Sequence, residues 1–112
     1  MEFLQHDTSL ARRIATKSLI VSVYNRTCAW CGEPIVGRAF ECHHWHIKRS
    51  GETHVHYAYI NVVLNVVPLH HSCHATYGQT TEMHDRCMQF VEGLFGAQII
   101  SDWEESLRKE RR

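Results

Sequence analysis

The sequence lacks a surplus of charge of either sign: twelve Lys and Arg stand against twelve Asp and Glu, with ten His besides. Proteins that coat nucleic acid electrostatically are usually basic, so the balance argues against that class and leaves only local basic patches open. Long apolar runs are missing too. Leu19-Ile20-Val21 soon meets Ser22 and Asn25, far short of the roughly 20 apolar residues that cross a bilayer. A secretory signal is not expected either, since Glu2 and Asp7 precede the apolar run. A cytoplasmic protein without a membrane partner is therefore expected. In that compartment cysteines serve as thiolates or ligands rather than as disulfides. The five present are an odd number, which leaves one over under any all-disulfide scheme. Repeats, low-complexity tracts and linkers are absent, so residues 1–112 read as one domain. That length is short for a domain resting on an apolar core alone, although 44% hydrophobic and 21% charged residues are ordinary for a globular protein.

What is present begins with Leu10, Ile14, Leu19 and Val23, interleaved with Arg12, Arg13 and Lys17, a pattern that predicts an amphipathic helix over about 8–24. Its basic face is a solvated surface or a contact for a phosphate backbone. Next, Cys28-Ala29-Trp30-Cys31-Gly32 is a turn that lets two sulfurs converge on one cation, with Gly32 free to adopt a left-handed backbone. No strand-helix-strand pattern surrounds it, which sets aside a redox pair. The stretch 39–44 has strand character. Gly51 and the polar residues 48–54 break it, and β-rich composition resumes from Tyr57 through Leu64 and on to Val66-Val67-Pro68-Leu69. A β-hairpin with a long connection follows from this. His70-His71-Ser72-Cys73-His74 then opens a short helix. Met83, Cys87, Phe90, Val91 and Leu94 line one stripe of a helix over about 80–95, with Gly96 as its C-cap. A capping box at Ser101-Asp102-Trp103-Glu104 predicts a last helix over about 102–112.

Two metal sites are expected. The first is structural: Cys28 and Cys31 with His70 and Cys73 give two pairs at ligand spacing, a donor set suited to closed tetrahedral Zn²⁺. His71 competes with His70 for the third place, though a spacing of three residues matches a helical turn better. Cys42 and Cys87 have no partner at ligand spacing and are assigned to the core, as are Trp30 and Trp103. The second site is functional. Adjacent imidazoles in a strand point to opposite faces, so His43 can hold a divalent metal with His74 while His44 takes a proton from an attacking water. Lys48 and Arg49, in the run that follows this pair, are candidate phosphate contacts. His54 and His56 lie in the long connection and are expected to face solvent.

Glu41-x-His43-His44, followed by Asn65-Val66-Val67-Pro68-Leu69-His70-x-x-Cys73-His74 and preceded by Cys28-x-x-Cys31, resembles the HNH endonuclease family. The resemblance spans about 28–77. It implies an α+β fold with a ββα-metal core and a zinc knuckle, flanked by the N-terminal and C-terminal helices. It further implies hydrolysis of phosphodiester bonds in DNA, with His43 and His74 binding the catalytic Mg²⁺, Mn²⁺ or other divalent ion. His44 matches the general base, and Asn65 the asparagine that orients the loop carrying it. Small free-standing members occur in phages, which implies action in the host cytoplasm, as monomer or homodimer. Two positions depart from the pattern. His70 stands where the zinc-bearing members usually have cysteine, and His43 where many have aspartate. A pair of nitrogen ligands tilts the site toward transition metals over Mg²⁺. The other readings are a zinc-stabilised nucleic-acid-binding module without activity and a structural zinc protein that docks through its C-terminal helices.

Overall fold

The computed structural model describes residues 8–47 and 60–110. Within them the fold is mixed α+β: helices α1 (Thr8–Ala11) and α2 (Lys17–Val23), strand β1 (Phe40–His44), strand β2 (Val66–His70), then helices α3 (His71–Tyr77), α4 (Thr81–Phe95) and α5 (Ala97–Glu110). The expected helix over 8–24 is two helices. Between them Ile14 bridges Val62, Ala15 N–H donates to Asn61 O at 2.9 Å and Val63 N–H donates to Arg13 O at 2.9 Å. This pairing with a distant segment outcompetes a helical pattern whose intrinsic preference is weak. Thr16, left extended by the break, caps α2 by accepting from Leu19 N–H at 3.2 Å.

β1 and β2 form a two-stranded antiparallel sheet in which Phe40 faces His70, Cys42 faces Pro68 and His44 faces Val66. The second strand starts later than composition suggested: Val63–Asn65 is a single 3-10 turn, and only then does the chain extend. Pro68 fits because its carbonyl points outward, accepting from Ala29 N–H at 3.0 Å, so the N–H it lacks would also have faced away from β1. No ladder bond is lost. Two strands alone are marginal in water. Here Val66, Val67 and Leu69 are buried beneath the helices.

The C-terminal pair follows its apolar stripe. Met83, Cys87, Val91 and Phe95 recur at helical spacing on α4 and are buried, and Thr80 caps the helix by accepting from Met83 N–H at 3.1 Å. Gly96, at φ 91°, ψ 151°, ends it in a conformation reserved for glycine. α5 starts at once at Ala97, four residues ahead of the expected capping box. Ile100, Trp103 and Leu107 then turn inward. Each large side chain so buried contributes roughly 1.5–3 kcal/mol. Cross-links of the buried layer come from Tyr24 Oη, which donates to Val63 O at 2.8 Å, and Trp45 Nε1, which donates to Leu64 O at 2.9 Å. Among the described residues no helix is long and apolar enough to cross a membrane.

Candidate functional site

The Cys28–Cys31 turn is closed by its own backbone. Cys28 N–H donates to Glu33 O at 3.1 Å, Gly32 N–H returns to Cys28 O at 2.9 Å, and Gly32 takes φ 77°. His70 ends β2 and is the N-cap residue of α3; Cys73 lies in the first turn of that helix. One donor atom from each of Cys28, Cys31, His70 and Cys73 lies within 4.8 Å of all the others. A tetrahedral Zn²⁺ with bonds of about 2.3 Å to sulfur sets such atoms roughly 3.8 Å apart. The donors are thus nearly in place. Cys31 Sγ is 3.3 Å from His70 Nδ1, and His70 Nε2 is 3.1 Å from the Pro34 carbonyl. A carbonyl only accepts, so Nε2 carries the proton and the Nδ1 lone pair is turned toward the sulfurs, the usual arrangement of a ligating imidazole.

Charge supports the same conclusion. Burial pushes the Cys28 thiol up, but N–H groups of Cys31, His70 and Trp30 and the Cys31 side chain bring it down to about 7. Burial first, then the negative charge of Cys28 and Cys31, pushes the Cys73 thiol up to about 12. Thiolates crowded in this way are relieved by a divalent cation. The Cys₃His cluster could hold a metal such as zinc. His70 belongs to it and His71 does not: the His71 side chain is 75% exposed and its Nδ1 pairs with Glu41 instead.

A second group of side chains meets where β1 faces α3. Glu41 and His43 share one face of the strand. His43 is buried, 8% exposed, and its ring centroid lies 5.0 Å from that of His74. The Glu41 carboxylate spans His74 Nδ1 and His71 Nδ1. The His74 bond, and then the His71 bond, hold its carboxyl below the usual carboxylate range. Gly78 makes room for this arrangement, since a Cβ there would lie 2.9 Å from His74 Cδ2. His44 points to the opposite face. Its Nε2 is 3.2 Å from Asn61 Oδ1, while Asn61 Nδ2 reaches toward Ala15 O at 3.5 Å. The amide oxygen therefore faces the imidazole, and Nε2 is the protonated nitrogen.

Asn65 is fully buried and uses both ends of its amide. Oδ1 accepts from the backbone N–H of His46 and of Ile47, each at 3.1 Å. Nδ2 donates to the carbonyls of Ile47 and Ile60, each at 2.9 Å. The chain immediately after His44 is thereby pinned to the start of β2.

No family model matches the chain. No curated protein and no solved structure matches it either.

The remaining sequence candidates divide. Lys48, Arg49, His54 and His56 lie outside the described residues. Cys87 and Trp103 are buried, as expected of core residues, whereas Cys42 is half-buried. Trp30, like Cys42, packs against the core from its margin. It is half-buried, stacked on Tyr77 at 4.3 Å with the Arg86 guanidinium 4.3 Å from its ring. Three participants escaped the sequence reading. Asn61 carried no motif, and His84 and Glu104 converge on His46 from 38 and 58 residues away. Helical or strand periodicity does not register such separations.

Proposed function

We propose that the chain is a metal-dependent DNA endonuclease of HNH type, built on a ββα-metal core. The reading is carried by one observation: His43 on β1 and His74 on α3 come from separate elements, and their ring centroids are 5.0 Å apart. The Cys₃His cluster sits at the β2–α3 corner, and a metal held there would fix the helix that bears His74. His43 and His74 are the residues that would hold the divalent ion, with the Glu41 carboxylate beside them. Such an ion supplies charge neutralisation at a phosphate and at the leaving oxygen. His44 acts as general base; with its Nε2 proton engaged by Asn61, the lone pair that receives a proton is on Nδ1. Asn65 keeps the following segment in register. The phosphodiester of DNA is the substrate class that this set of roles serves.

One observation favours a second reading, a zinc-stabilised nucleic-acid-binding module without activity. The Nδ1 atoms of His71 and His74 are both taken by Glu41, an arrangement that needs no further ligand. Nicking of supercoiled plasmid in Mg²⁺, in Mn²⁺ and in EDTA separates the two. The endonuclease cleaves with the metal and not with EDTA, and His44→Ala abolishes cleavage while zinc content and fold stay intact. Unchanged cleavage by His44→Ala removes that residue from the mechanism. Absence of cleavage in every metal, with a gel shift retained in EDTA, selects the binding module.

A further inference from the structure

The C-terminal helices lie outside the span that resembles a nuclease, yet they reach back to the segment that follows His44. His46 Nε2 is 2.6 Å from Glu104 Oε2 on α5, and His46 Nδ1 is 3.0 Å from His84 Nε2 on α4. His84 Nδ1 in turn lies 3.5 Å from Asp85 Oδ1. The imidazole of His46 is also stacked on Trp45, with centroids 4.9 Å apart and planes at 23°, and lies 5.8 Å from the Trp103 ring. Four side chains from two helices and the strand end thus surround one ring. Its own backbone N–H is held by Asn65 at 3.1 Å.

Two kinds of contact could explain the paired histidines, a shared metal or a shared proton. The ring centroids of His46 and His84 are 5.2 Å apart and the facing nitrogens 3.0 Å apart, so the nitrogens point at one another almost along the line of centroids. A metal on that line needs two bonds of about 2 Å each, more than the gap allows. A proton fits. A carboxylate accepts only, so His46 Nε2 carries its proton toward Glu104, and His46 Nδ1 accepts from His84 Nε2–H. Every donor in Glu104–His46–His84 then has an acceptor.

We propose that Glu104 is a positioning residue for the endonuclease reaction: through His46 it holds the segment carrying His44 against α4 and α5, with His84 fixing the other side of the ring. The proposal rests on the endonuclease reading. It makes the C-terminal helices part of the catalytic unit rather than an appendage. The side chain of Glu104 is 35% exposed, so its replacement removes a tether without opening the core.

The test uses the full, zinc-loaded chain and its Glu104→Ala and Glu104→Gln variants, with plasmid nicking and amide hydrogen exchange measured on each. The amide oxygen of Gln still accepts from His46 Nε2. Glu104→Ala is expected to lower kcat at least tenfold with KM within twofold. Exchange at the His46 and Ile47 amides should rise in parallel. Glu104→Gln should recover most of both. A generally loosened fold would speed exchange at Met83 and Cys87 as well. Equal kcat in wild type and Glu104→Ala, with the wild type active, overturns the proposal and leaves the endonuclease reading standing. Failure of the wild type to cleave refutes that reading instead. In that case equal exchange at His46 and Ile47 in wild type and Glu104→Ala overturns the anchoring as well.

Discussion

Replacing Asn65 with alanine should cost more than any other single polar substitution in the described region. The side chain is fully buried and makes four hydrogen bonds, all to backbone groups of residues 46, 47 and 60. Alanine leaves the buried Ile60 carbonyl without a donor, at about 1–3 kcal/mol. The other three groups are partly exposed and water can replace the amide, so each loses about 0.5–1 kcal/mol. The sum is roughly 2.5–6 kcal/mol, a large fraction of the 5–15 kcal/mol typical of a domain. At about 4 °C per kcal/mol for a chain of this size, the expected fall in Tm is roughly 10–24 °C. Thermal unfolding of the zinc-loaded protein by circular dichroism measures it, with zinc content followed in parallel. Asn65→Asp sharpens the test. A carboxylate can still accept from His46 and Ile47 but sets an oxygen against two carbonyls, so Asp should be no better than Ala. A loss below 1 kcal/mol for Ala, or native stability for Asp, would refute the claim that all four bonds matter.

Three further outcomes are expected. The chain should bind one zinc per molecule through the Cys₃His cluster, and Cys73→Ser should abolish it. Because the Cys73 thiol is pushed up to about 12, it is protonated in metal-free protein near pH 7.5 and must lose that proton to ligate. Calorimetry in buffers of different ionisation enthalpy should then show at least one proton released per zinc, with affinity rising as pH rises; release of none contradicts the thiolate assignment. Gly96→Ala should destabilise by about 1–3 kcal/mol, because φ 91° with ψ 151° is strained for any residue with a Cβ. Nothing lies within 4 Å of the Cβ it would add, so the whole effect is conformational, and urea denaturation reads it directly.

Legibility from sequence followed the range of the interaction. The four donors of the Cys₃His cluster were readable because each pair is local: residues three apart meet in a turn or on one face of a helix. The α4 stripe through Met83, Cys87 and Val91, and its glycine stop, were readable for the same reason. Harder to see was the break at Ile14, which comes from a bridge to Val62, 48 positions on by the numbering. The start of α5 was misplaced because Ser101-Asp102-Trp103-Glu104 has the form of a cap, while the actual signal was the glycine conformation at residue 96. At the histidine site, Glu41 was visible as part of a motif, but its position between His71 and His74 depends on how β1 packs against α3. The pairing of His46 with His84 and Glu104 is wholly tertiary.

The cysteine turn has one more consequence, which arises from where it docks. The outer edge of β2 would present Val66, Val67 and Leu69 beside unpaired peptide groups, an invitation for a strand of another molecule. Pro68 withholds a donor there, its carbonyl is taken by Ala29, and the His70 N–H is directed at Cys28 Sγ at 3.4 Å. The knuckle thus serves as a guard rail along that edge. Stripping the zinc should therefore cost solubility as well as stability, with metal-free molecules sticking to one another through the uncovered ribbon.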